Sequence, residues 1–68
     1  MNKIKINTEI IKLDAFLKWA GIVSSGSEAK IYIQDGLVKV NNEICTQRGK
    51  KLKVGDKVNF EDSDFEII

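Results

Sequence analysis

The sequence has 68 residues, 43% hydrophobic and 31% charged, the balance of a chain that folds, and its length allows one compact domain and no second. Its apolar runs reach only two or three residues, far below the roughly 20 that a membrane helix requires, and no charged-then-apolar leader is read, so a soluble, cytoplasmic protein is expected. The single cysteine, Cys45, excludes an internal disulfide and fits a reducing compartment. The formal charge of +1 conceals a division: all 11 Lys and Arg precede position 58, whereas Glu61, Asp62, Asp64 and Glu66 follow it with no base among them. Such asymmetry points to a basic working face with an acidic edge elsewhere.

In chain order, Ile4 and Ile6 alternate with Lys3, Lys5 and Asn7, the period of a half-buried strand over 3–7. Leu13, Phe16, Leu17 and Ala20 then fall at i, i+3, i+4 and i+7, one stripe of a helix that Gly21 stops. Lys18 and Asp14 project from the far side of that helix, and Lys12 and Trp19 flank the stripe. Ser25-Gly26-Ser27-Glu28 matches a capping box, so a second helix is predicted from there to about Asp35, with Ala29, Tyr32 and Ile33 buried, Lys30 outward and Gly36 ending it.

Val38 and Val40 alternate with Lys39 before Asn41-Asn42, a dipeptide that tolerates positive φ, and Ile44 resumes the apolar pattern; this is a tight hairpin. A basic loop follows, in which TQRGKKLKVGDKV carries Arg48, Lys50, Lys51, Lys53 and Lys57 against the one acid Asp56. Val54-Gly55-Asp56 turns into a strand over 57–60, and Asp62-Ser63-Asp64 turns into a last strand over 65–68. The expected class is α+β: a strand, two short helices, then a small antiparallel sheet of four or so strands.

The run from Lys12 to Val58 resembles the RNA-binding domain named after the fourth small-subunit ribosomal protein, the S-four family with its alpha-L motif. The words that carry the resemblance are Lys12-Leu13-Asp14 for Arg-Leu-Asp at the first helix and Ser25-Gly26-Ser27-Glu28-Ala29-Lys30 for Ser-Arg-Ser-Glu-Ala-Arg at the second. Gly36-Leu37-Val38-Lys39-Val40-Asn41-Asn42 stands for the Gly-x-Val-x-Val-Asn-Gly hairpin, and Val54-Gly55-Asp56 for Pro-Gly-Asp after the basic loop. Gly26 replaces an arginine, Asn42 a glycine, and Lys12 and Lys30 replace arginines, which keeps charge but loses the bidentate fork. The motif core is thus expected over 12–58 of a single RNA-binding domain spanning 1–68, with flanking strands 3–7 and 65–68. It is similar to the short stand-alone bacterial members associated with ribosomes or their assembly.

The resemblance implies structured RNA as partner, ribosomal RNA first and ribosomal subunits with it, and selectivity by RNA shape. The implied contacts are Lys12, Lys18, Ser25, Lys30, Lys39, Arg48, Lys50, Lys51 and Lys53 along one rim, with Ser24 and Ser27 as further donors. Charge alone would read as an ordinary solvated loop. Ser25 and Glu28 are expected to act chiefly as a cap, Lys18 can pair with Asp14, and Trp19 and Tyr32 are expected in the core rather than stacked on bases. The absence of histidine, of a second cysteine for metal ligation and of a Gly-x-x-x-x-Gly-Lys loop argues against an enzyme, a metal, a cofactor or a small-molecule substrate. S-four domains also occur attached to pseudouridine synthases and tyrosyl-tRNA synthetases; this chain would carry the binding part alone. The rival is a protein-interaction module in which the acidic C-terminal strand or an open sheet edge docks a partner.

Overall fold

The computed structural model describes all 68 residues. In chain order they form β1 (Asn2–Ile4), β2 (Ile10–Lys12), α1 (Leu13–Trp19), α2 (Gly26–Gln34), β3 (Val38–Val40), β4 (Glu43–Ile44), β5 (Lys51–Lys53), β6 (Lys57–Phe60) and β7 (Ser63–Ile67). The α+β class with its two short helices is the expected one. Two pairings go beyond it. β1 lies parallel to β7 (Ile4 opposite Ile67), which makes the main sheet mixed, in the order β1-β7-β6-β3-β4. β2 and β5 form a separate antiparallel ribbon, so the basic stretch expected as a loop is in part a strand. The first strand is shorter than the expected 3–7, yet Ile6 still donates to the Ile68 carbonyl at 3.2 Å.

Both helices start and stop for local reasons. Ser25 is extended, and its hydroxyl oxygen accepts the Glu28 amide at 3.2 Å. The Glu28 carboxylate accepts the Ser24 amide at 3.2 Å, one residue before the cap itself. Gly21 and Gly36 end α1 and α2 at φ of 76° and 75°, the left-handed region where a side chain is penalised. In the β3–β4 hairpin Asn41 and Asn42 sit at φ of 51° and 72°, the pair of positive values that a type I′ turn demands. Asn41 does more than turn: its Nδ2 donates to Asp56 Oδ1 at 3.2 Å and its Oδ1 accepts the Lys57 amide at 3.0 Å. Asp56 Oδ2 accepts the Lys53 amide at 2.9 Å, so this hairpin tip is locked to the turn between β5 and β6.

The core is wholly apolar. Leu13, Phe16 and Leu17 from α1, Ala29 and Ile33 from α2, Val38, Val40, Val58 and Ile67 from the sheet, and Leu52 from the ribbon are buried together with Ile6 and Val23. Because side chains alternate across a strand, the residues between these on the sheet point the other way. Lys39, Asn59 and Asp64 make one outward row, and Lys57, Glu66 and Lys3 the next. That outer face therefore mixes both signs, with Asn59 Nδ2 donating to Asp64 Oδ1 at 2.7 Å.

Leu52 ties the ribbon to this core, with none of its surface exposed. Leu52→Ala should lower unfolding free energy by about 2–5 kcal/mol in a urea titration, a large part of what a domain of this size has.

Candidate nucleic-acid interface

The first amides of a helix have no partner within it. In α1 the N-cap position is Lys12, whose side chain makes no capping bond. The amides are satisfied instead from across the chain: Leu13 donates to the Lys50 carbonyl at 2.8 Å and Asp14 to the Arg48 carbonyl at 3.1 Å. These two bonds strap the segment carrying Arg48 and Lys50 over the start of α1. Pairing then continues along the ribbon, Lys12 opposite Lys51, Ile11 opposite Leu52 and Ile10 opposite Lys53. Ile11 and Leu52 turn inward, so Lys12, Lys51, Lys53 and Ile10 share the solvent face.

Antiparallel partners alternate between hydrogen-bonded and closer, non-hydrogen-bonded pairs. Since Leu13 bonds to Lys50, the next pair, Lys12 with Lys51, is of the closer kind. Two like charges stand directly opposite each other, an arrangement that destabilises a sheet. No lysine or arginine side chain donates any of the side-chain hydrogen bonds of the structure. Nearby carboxylates are committed elsewhere: Asp56 to Asn41 and Lys53 as above, and Asp14 Oδ1 to the Ala15 amide at 2.7 Å. The acidic turn Glu61-Asp62 sits beyond Phe60, at the other end of β6 from Asp56 and Lys57.

Lys12, Arg48, Lys50, Lys51 and Lys53 are thus gathered at one place by backbone pairing. The other expected positions are not gathered in this way. Lys18 is exposed in the last turn of α1, about 9 Å along the axis from Lys12. It makes no hydrogen bond to Asp14. Lys30 is exposed on α2, and Ser25 is occupied as the helix cap. Lys39 stands on the outer sheet face with Asp64 in its row, away from the core-facing side that the helices cover. Backbone pairing thus gathers Lys12, Arg48, Lys50, Lys51 and Lys53, while sheet register sets Lys39 on the outer face.

The S4 domain family model matches residues 4–68. The chain belongs to the S4 domain family. Among curated relatives, it is 43% identical over 68 residues to "Probable ribosome maturation protein RlbA" of Bacillus subtilis (strain 168), covering 98% of this chain and 96% of that one. It is 33% identical over 58 residues to "Putative RNA-binding protein YbcJ" of Escherichia coli (strain K12), covering 85% of this chain and 83% of that one. In this S4 domain no helix is long and apolar enough to cross a membrane, and no three His, Cys, Asp or Glu side chains converge as a metal site would need.

The two aromatic residues in question divide. Tyr32 packs inward, half-buried, with its ring centroid 5.1 Å from that of Phe60 at a tilt of 50°. Trp19, expected in the core, is instead 53% exposed, and its indole N–H donates to the Lys5 carbonyl at 2.8 Å. Position 19 lies to one side of the Leu13, Phe16, Leu17 stripe, so the ring leaves the core and clamps the β1–β2 connection. Nothing in the periodicity of the helix alone fixes that partner.

The facing lysines yield a test that needs no ligand. Lys51→Glu turns the Lys12 pair into one of opposite charge and should raise stability by about 0.2–1 kcal/mol. Thermal melts at low and high salt should show the gain shrinking as ionic strength rises.

Proposed function

We propose that this S4 domain binds structured RNA, ribosomal RNA foremost, and works in the cytoplasm in association with ribosomal subunits or their assembly. The observation that carries the reading is the ribbon cluster, where Lys12 and Lys51 face each other beside Lys53, Lys50 and Arg48 with no internal acceptor. Closely spaced phosphates supply the missing anions, and the attraction is sequence-independent. Family membership and the name of the E. coli relative, "Putative RNA-binding protein YbcJ", support RNA as the class of partner, and the name of the B. subtilis relative, "Probable ribosome maturation protein RlbA", supports the ribosomal setting.

The mechanism is docking without covalent chemistry or a cofactor. Lys12, Arg48, Lys50, Lys51 and Lys53 hold one stretch of backbone; Lys18 and Lys30 add contacts along the helices. Ser25 can donate its hydroxyl proton to a phosphate oxygen while its oxygen keeps the Glu28 amide. Lys39 takes part only where RNA reaches round the β4 edge. An RNA of matching groove shape is preferred over a particular sequence at these positions.

With about four to six phosphates neutralised, log affinity for a ribosomal RNA fragment should fall against log salt with a slope of roughly −3 to −5. Lys50→Glu with Lys51→Glu should weaken binding about tenfold or more while the circular dichroism spectrum and melting profile stay those of a folded protein. Unchanged RNA binding in that variant would favour the protein-interaction reading, as would co-sedimentation with ribosomal subunits that resists high salt.

A further inference from the structure

Between the β3–β4 hairpin and the strap runs a groove of about 460 Å³, lined in part by Ile44, Cys45, Glu43, Gln47 and Lys50. Sites for small ligands begin near 300 Å³, so the groove has room for one nucleotide. Its chemistry differs from that of the neighbouring ribbon. Glu43 is among the lining residues and repels a phosphate, whereas the half-buried Cys45, packed against the core with its thiol donating to the Gln47 carbonyl at 3.6 Å, gives the groove an apolar side. Lys50 belongs to both places: it is among the residues that line the groove, and its carbonyl accepts the Leu13 amide at 2.8 Å. An anionic backbone held on the ribbon would therefore pass the mouth of a groove suited to an uncharged, flat, partly apolar group.

We infer that this groove takes one unpaired guanine base of the bound RNA, its phosphate on Lys50 and its Watson–Crick edge on Glu43. The inference rests on the RNA-binding reading above. An ionised carboxylate is acceptor-only. Guanine alone among the four bases presents two adjacent donors on that edge, N1–H and the N2 amino group, to match two carboxylate oxygens. Adenine and cytosine place a ring-nitrogen acceptor beside their amino group, and uracil flanks its one N–H with carbonyls. Glu43 makes no side-chain hydrogen bond in the free protein, and neither does the side-chain amide of Gln47, so both are available to a base edge. Recognition of splayed-out bases on this edge is the usual way in which proteins read single-stranded RNA.

The test uses the whole chain and four RNA hairpins with one stem, differing at a single loop nucleotide. The guanine hairpin should bind about tenfold more tightly than the other three, as expected of a good bidentate base contact. Glu43→Gln, an exposed position on the hairpin, should abolish that preference and leave affinity for the adenine hairpin within about twofold. Alkylation of Cys45, the one thiol, should slow several-fold with the guanine hairpin bound and stay unchanged with inorganic polyphosphate, which fills the cationic ribbon but brings no base. Equal affinity for all four loops, a preference that survives Glu43→Gln, or an unprotected Cys45 would overturn the groove while leaving RNA binding intact. If no hairpin binds at all, the RNA reading itself falls and takes the groove with it.

Discussion

Two backbone hydrogen bonds organise this molecule. A helix must find acceptors for its first amides, and α1 has no side-chain cap to provide one. It borrows the carbonyls of Lys50 and Arg48, residues more than 30 positions away, as the pairs 13/50 and 14/48 make plain. The β2–β5 ribbon continues from there, with Ile11 and Leu52 anchoring it in the core. Gathering the cations and finishing the helix are therefore one event. In the folded chain the bonds that complete α1 are the same ones that set Arg48 and Lys50 beside Lys12.

That arrangement opposes local stability. Facing lysines repel, and in a small domain a few tenths of a kcal/mol is not negligible. A sequence optimised for stability alone would alternate signs across the ribbon, as it does on the outer sheet face, where Glu66 lies between Lys57 and Lys3. The contrast between those two surfaces within one chain is the physical argument that the ribbon awaits an anion. Along β6, Lys57 stands at the end that follows the ribbon strand β5, and the acids Glu61 and Asp62 come after the other end.

Much of this could be read from the residues alone. The helices, their glycine stops and the Ser25 cap follow from spacing and backbone preference, and the Asn41-Asn42 turn from tolerance of positive φ. What escaped was non-local. Ile10-Ile11-Lys12 is too short to show a period, and Lys51-Leu52-Lys53, which does alternate, is masked by the surrounding cations. Only the partner strand makes either of them a strand. The parallel match of β1 to β7 is likewise invisible, since alternation reveals which face is buried and not which neighbour is paired. At the interface, the basic segment was evident but not its strap to α1, and the isolation of Lys39 on the outer face depends on sheet register. Trp19 finds its hydrogen-bond acceptor, the Lys5 carbonyl, in another segment, which helical spacing does not reveal.

The parallel match of β1 to β7 joins segments so far apart that the bond from Asn2 to the Asp64 carbonyl spans 62 positions. β7 is the one strand beside β1, and its Ile67, opposite Ile4, has none of its surface exposed. Unpairing β7 would therefore free β1 at the same stroke and uncover the interior beneath the helices, so a change confined to one strand would be felt as the loss of two.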